Sequence, residues 1–92
     1  MTKKEYFSLK DAEMIGRAIG VDWKKNRFGV KEFWTGIRVE LEHGSRDPVT
    51  NVTNDDPILT GKIALAHLNE FPDYYKRLEK MEKGAEKAHR KR

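Results

Sequence analysis

The chain has 92 residues, enough for one domain with a single modest core. It has no cysteine, which excludes disulfide bonds, thiolate catalysis and cysteine-based zinc sites. No segment approaches the roughly 20 consecutive apolar residues that a membrane helix needs, and the first residues, MTKKEYFSLK, contain no apolar run typical of a signal peptide. We therefore expect a cytoplasmic protein.

Charge is distributed unevenly along the chain, whose net charge is +4. Residues 76–92, KRLEKMEKGAEKAHRKR, carry eight Lys or Arg against three Glu, a net charge of +5. Residues 1–75 carry eleven Lys or Arg against twelve Asp or Glu, a net charge of −1. The basic character therefore belongs to the C-terminal segment, which predicts contact with phosphate groups or with an acidic partner.

The first half of the chain contains two amphipathic helices. Ser8 and Asp11 resemble a capping box at the start of LKDAEMIGRAIG, in which apolar residues recur at helical spacing. Gly20 is placed to end this helix in a left-handed conformation. The second helix runs through VKEFWTGIRVELEH and stops at Gly44.

Two further helices follow a long connection, GSRDPVTNVTNDD. One of the two Asp residues before Pro57 is expected to cap the third helix, PILTGKIALAHLNE, with Pro57 at its first position. Apolar residues on most sides between Ile63 and Leu68 predict a central, buried helix. Pro72 opens the fourth helix. Gly84 costs this helix about 1 kcal/mol relative to Ala, so we expect fraying beyond it.

These patterns predict an all-α fold. We expect a compact bundle of about four helices, with a long Asn/Asp-rich loop between helices two and three. Residues 1–83 are expected to form the single helical domain. Residues 84–92 are expected to form a basic, frayed C-terminal tail.

Two motifs in the second and third helices each combine a carboxylate with an imidazole. Glu40-x-x-His43 and His67-x-x-Glu70 place their residues on one helix face, a spacing found in metal sites of helical bundles. At 100° per residue Glu40 lies about 20° from Phe33, at the edge of the core. In a simple antiparallel hairpin of these helices, His43 and His67 would lie roughly 15 Å apart. They would share an ion only if the long loop let helix three dock otherwise.

The structural interpretation of His67 is a buried imidazole that hydrogen-bonds a carboxylate or a backbone group in a dry interior. Metal ligation by Glu40, His43, His67 and Glu70 is the alternative, and acid–base catalysis is a third hypothesis. We therefore predict no cofactor, with a bound metal ion as the alternative.

The end of the chain supplies the candidates for nucleic-acid contact, which are Lys87, Arg90, Lys91 and Arg92. A solvated, frayed helix end is the alternative interpretation. The segment lacks the interleaved aromatic residues that binders of single strands use.

The chain resembles a family of small uncharacterised proteins from bacteria, archaea and their phages. The resemblance rests on the turn Gly20-Val21-Asp22-Trp23, the motif ELEHG, the Asn/Asp-rich turn and the block ALAHLNEFPDYY, and it spans roughly residues 8–82. The family carries a domain of unknown function, so the resemblance implies a compact helical domain. It leaves open whether four polar residues serve folding or a ligand: Glu40, His43, His67 and Asp73.

Taken together, these features favour a non-enzymatic interaction or accessory protein, associated with a phage or plasmid, that binds a protein partner through its surface and basic tail. One alternative is a metal- or small-ligand-binding protein that uses the Glu/His cluster. The other is nucleic-acid binding through the tail. We expect no membrane partner.

Overall fold

The computed structural model describes residues 7–90, and this part of the chain forms four α-helices without a β-strand. The helices are α1 (Leu9–Ala18), α2 (Val30–Glu40), α3 (Pro57–Glu70) and α4 (Tyr74–Arg90), and a 3-10 turn at Leu41–His43 extends α2. The all-α prediction and the long loop between the second and third helices are confirmed. No helix of residues 7–90 is long and apolar enough to cross a membrane.

Local sequence signals set the ends of the helices. The Ser8 side chain accepts a hydrogen bond from the Asp11 N–H, and the Asp11 carboxylate accepts one from the Ser8 N–H, both at 3.0 Å. Gly20 follows α1 with a φ of +98°, which favours glycine. Asp56 caps α3 by accepting a 2.8 Å hydrogen bond from the N–H three residues later, with Pro57 at the first helical position. These predicted boundaries are confirmed.

The core forms where α2 packs against α1 and α3. Phe33 and Ile37 of α2, Ala64 and Leu68 of α3 and Ala12 of α1 are each at most 1% exposed. Buried Phe28 and Tyr75 and half-buried Trp23 and Trp34 complete this core, whose burial stabilises the domain.

The helices α2 and α3 approach closely at Gly36 and Ala64. A Cβ atom on Gly36 would lie 3.1 Å from the Ala64 Cβ atom and 2.6 Å from a ring carbon of Tyr75. The absent side chain therefore lets α3 and the start of α4 both approach α2. Glu40 and His67 each lie about one helical turn beyond this point.

The prediction that α3 is buried on most sides is wrong. One face is buried, at Thr60, Gly61, Ala64 and Leu68, whereas Ile58, Leu59 and Ala66 are exposed. The reason is that α1 and α2 cover one side of α3 and α4 contacts only its C-terminal end. The central position in the domain is therefore shared by α2 and α3.

Only the first turns of α4 pack against the domain. Tyr75 is buried and Leu78 is half-buried, whereas every residue from Glu79 to His89 is exposed. The helix continues through Gly84 to Arg90 and does not end at the glycine. Residues on both sides of Gly84 are exposed, so no change in packing marks a boundary between residues 83 and 84. The division into a domain at residues 1–83 and a tail at residues 84–92 stays a prediction.

Candidate functional site

Glu40 is the buried acidic residue at the centre of the candidate site. It ends α2 on the same face as Phe33 and Ile37, and it is only 4% exposed. Removing a carboxylate from water is costly, and the negative end of the helix dipole adds to that cost. Glu40 therefore needs hydrogen-bond donors from neighbouring elements.

Tyr75 supplies the hydrogen bond that Glu40 needs. Its hydroxyl donates to Glu40 Oε2 across 2.7 Å, and the tyrosine is itself 6% exposed. Burial, and then the hydrogen bond to Glu40 and its negative charge, raise the pKa of the Tyr75 hydroxyl well above its ordinary value of about 10. The phenol consequently stays protonated and keeps donating its hydrogen bond.

Two histidines approach the same carboxylate from different elements. His67 Nε2 of α3 lies 3.7 Å from Glu40 Oε2, and His43 Nε2 of the 3-10 turn lies 3.8 Å from Glu40 Oε1. The separations exceed hydrogen-bond distances but suit ion pairs when the imidazoles are protonated. Because both imidazoles lie within 4 Å of one carboxylate, α3 does not dock on α2 as the simple antiparallel hairpin that would place the histidines roughly 15 Å apart.

The loop between α2 and α3 holds His43 in place. The His43 carbonyl accepts hydrogen bonds from the N–H groups of Val52 and Thr53, at 2.7 and 3.2 Å. Ser45 donates to the Asp55 carboxylate through both its N–H and its hydroxyl. These bonds fix the end of the 3-10 turn beside the start of α3.

His67 is a rim residue, and the prediction that its imidazole lies in a dry interior is wrong. Its side chain is 33% exposed. The ring stacks on Tyr74 with centroids 4.2 Å apart and planes 8° from parallel, and it meets Tyr75 edge-on at 6.2 Å. The start of α4 covers one face of the imidazole, and the buried polar group in this region is Glu40.

Three of the four predicted metal ligands meet, and the fourth does not. Glu70 is exposed at the end of α3, and no ion pair or hydrogen bond among the described residues joins it to His67. Within residues 7–90, no group of three or more His, Asp or Glu side chains is arranged to hold a metal ion. Metal ligation by Glu40, His43, His67 and Glu70 stays a prediction.

The second candidate site is a row of lysines on α4. Lys76, Lys80, Lys83 and Lys87 recur at i, i+4, i+7 and i+11, which places them within about 60° on one helix face. All four are exposed. We call this row the basic stripe. Only its last member was among the predicted residues. Arg90 ends α4, and Lys91 and Arg92 lie outside the described residues.

Sequence reasoning missed two features of these sites. The basic stripe could have been found from the 4-3-4 spacing of its lysines. The hydrogen bond of Tyr75 to Glu40 had no comparable signal, because it joins residues 35 positions apart. An aromatic residue after Pro72 predicts core packing, and nothing in its local sequence indicates which carboxylate its hydroxyl meets.

Four helices around one core, with a polar cluster at the end of α2, define a small helical domain. The chain belongs to the DUF5661 family of proteins of unknown function, whose model matches residues 12–84. The predicted resemblance to a family without a known role is thereby confirmed. No curated protein and no solved structure matches the chain.

Proposed function

We propose that this protein is a non-enzymatic interaction module that binds nucleic acid through the basic stripe of α4. The observation that carries the proposal is the exposure of a helix face on which lysine recurs four times and apolar residues are absent. The stripe begins within the family match and extends just beyond its end at residue 84.

The dimensions of the stripe suit a phosphate backbone. From Lys76 to Lys87 the helix rises about 16.5 Å, and one strand of B-form DNA carries a phosphate every 3.4 Å or so along its axis. The stripe therefore spans about five phosphates of one strand. Lysine suits this contact because its ammonium group acts as a point charge on a flexible stem.

Ion pairing within α4 leaves part of the stripe available. Lys83 Nζ lies 3.2 Å from Glu79 Oε2. Lys80 and Lys87 form no ion pair with any of the described residues. Their charges are compensated by solvent and counterions, whose release on binding phosphate favours association.

The composition of the stripe favours nucleic acid over an acidic protein. Protein interfaces draw most of their affinity from buried aromatic and apolar anchors. The basic stripe has none, and the exposed Met81 of α4 lies about 130° away from its centre. A contact that depends on charge alone is typical of binding to phosphates.

The cluster around Glu40 serves this function indirectly. Tyr75 and Tyr74 attach the start of α4 to α2 and α3 through the hydrogen bond to Glu40 and the stack on His67. These contacts set the direction in which α4 leaves the domain. An accessory role in the cytoplasm, in a phage or plasmid context, belongs to the same proposal.

The test is retention of the protein on immobilised DNA and RNA at low salt. We expect the wild type to be retained and the variant Lys80→Ala/Lys87→Ala to elute at clearly lower salt. The matched control is Lys24→Ala/Lys62→Ala, which removes the same charge from exposed residues outside α4. Because all four side chains are exposed, we expect every variant to keep the wild-type fold, as checked by circular dichroism.

Two outcomes would overturn the proposal. In the first, Lys80→Ala/Lys87→Ala elutes at the same salt concentration as the wild type or as Lys24→Ala/Lys62→Ala. Either result would mean that the position of the lysines does not affect binding. In the second, poly-glutamate binds the protein as tightly as DNA and RNA at the same ionic strength, which would assign the stripe to an acidic polypeptide.

A further inference from the structure

A row of acidic residues runs beside the basic stripe on α4. Glu79, Glu82 and Glu86 are all exposed, and at 100° per residue their mean direction lies about 100° from that of the lysines. We call this row the acidic stripe. The ion pair between Lys83 and Glu79 joins the two stripes along their shared edge.

The remaining faces of α4 add little positive charge. Leu78, Met81, Ala85 and Ala88 follow one another at spacings of three and four residues on the side opposite the lysines. Arg77, between the two, is held by Asp73, whose Oδ2 lies 2.9 Å from the guanidinium Nε. The helix therefore offers phosphate one narrow face.

We infer that α4 contacts a single phosphate strand from outside and does not enter the major groove of a duplex. The inference rests on the proposed function. A helix is about 10–12 Å wide, and the major groove, about 12 Å wide, has phosphates along both walls. If α4 lay in the major groove with its lysines toward the phosphates of one strand, its other faces would point toward the phosphates of the second strand.

In that position Glu82, which lies about 130° from the centre of the basic stripe, would turn toward the second strand, and Glu79 and Glu86 would lie along the groove between the two strands. Carboxylates and phosphates closer than the Debye length of about 8–10 Å repel each other with little screening. Contact with one strand avoids this, because the acidic stripe then faces solvent. Helices that read adenine in the major groove use Asn or Gln against its edge, and the basic stripe contains neither.

Single-strand contact has two measurable consequences. A 20-nucleotide oligo(dT) and a 20-base-pair duplex should bind with dissociation constants within about threefold of each other at one salt concentration. Duplexes of different sequence should bind equally, because contacts to phosphate carry no sequence information.

The deciding experiment compares Glu86→Lys with Glu70→Lys by fluorescence anisotropy on these two oligonucleotides. Both substitutions change the net charge equally, and both residues are exposed. Glu86→Lys opens a second basic flank on α4, so the dissociation constant for the duplex should fall at least about threefold more than that for oligo(dT). Glu70→Lys should lower both by the same factor.

The inference is overturned if the wild type binds the duplex tenfold or more tightly than oligo(dT), or if Glu86→Lys tightens both equally. Neither result touches the proposed function, which fails separately when Lys80→Ala/Lys87→Ala binds both oligonucleotides as the wild type does. The two claims are therefore tested by different variants of the same protein.

Discussion

The Tyr75 hydroxyl donates a 2.7 Å hydrogen bond to the buried carboxylate of Glu40, 35 residues earlier in the chain. The bond joins the first turn of α4 to the last turn of α2. It satisfies a carboxylate that is 4% exposed and lies where the helix dipole is unfavourable. The attachment of α4, and with it the direction of the basic stripe, depends on this pair.

Tyr75→Phe is expected to destabilise the protein by about 1–3 kcal/mol, because the substitution leaves a buried carboxylate without its donor. The free energy of unfolding in urea measures the loss. Tyr74→Phe is the matched control. It removes a hydroxyl that makes no hydrogen bond among the described residues and keeps the ring that stacks on His67, so we expect a loss below about 0.5 kcal/mol. Equal losses in the two variants would show that the Tyr75 hydroxyl contributes nothing.

Alkaline pH is expected to destabilise the wild type more than Tyr75→Phe. The pKa of Tyr75 is raised in the folded protein, so above pH 10 the unfolded chain loses a phenolic proton that the native state retains. Stability from this group is complete below pH 10 and declines as the pH rises above it. The difference between the two proteins should change by up to about 1.4 kcal/mol per pH unit. Parallel stability curves above pH 10 would contradict this assignment.

The local parts of the fold could be predicted from the sequence, and the long-range parts could not. The capping box of Ser8 and the Asp56–Pro57 start of α3 are signals within a few residues. The approach of α2 and α3 at Gly36 is a relation between distant segments that no local pattern specifies. That approach determines whether Glu40 meets His67, which is why the motif residues were predicted and their arrangement was not.

The exposure of the His67 imidazole could not be predicted from its neighbours in the sequence. An apolar run around His67 predicts burial, but the run does not indicate how much of α3 its neighbours cover. Because α4 leaves the domain after its first turns, His67 stays at the rim. The buried polar group is the carboxylate of Glu40 on α2, which needs a hydrogen-bond donor. Helical spacing alone places this residue only at the edge of the core.

Gly84→Ala is expected to strengthen the C-terminal half of α4. A Cβ atom at this position meets nothing within 4 Å, so the substitution brings the higher helix propensity of alanine, about 1 kcal/mol, without a steric cost. Far-UV circular dichroism should show increased helicity, and amides beyond residue 84 should exchange more slowly with solvent. Unchanged exchange would mean that the predicted fraying at Gly84 does not limit this segment.

Metal analysis of protein purified without a histidine tag tests the alternative at Glu40, His43 and His67. Because the carboxylate is already bonded to Tyr75, we expect less than about a tenth of an equivalent of zinc, iron or manganese, and a melting temperature that chelator does not change. Stoichiometric metal that is lost in His43→Asn would establish the alternative and displace the structural role assigned to Glu40.

The salt dependence of DNA binding tests the basic stripe most directly. Plots of the logarithm of the association constant against that of salt concentration should be linear for the wild type and for Lys80→Ala/Lys87→Ala. For a duplex, the slope of the variant should be shallower by about 1.8, since each lost phosphate contact contributes about 0.9. Lys24→Ala/Lys62→Ala should retain the wild-type slope. Identical slopes for the wild type and the Lys80/Lys87 variant would contradict nucleic-acid binding through this face of α4.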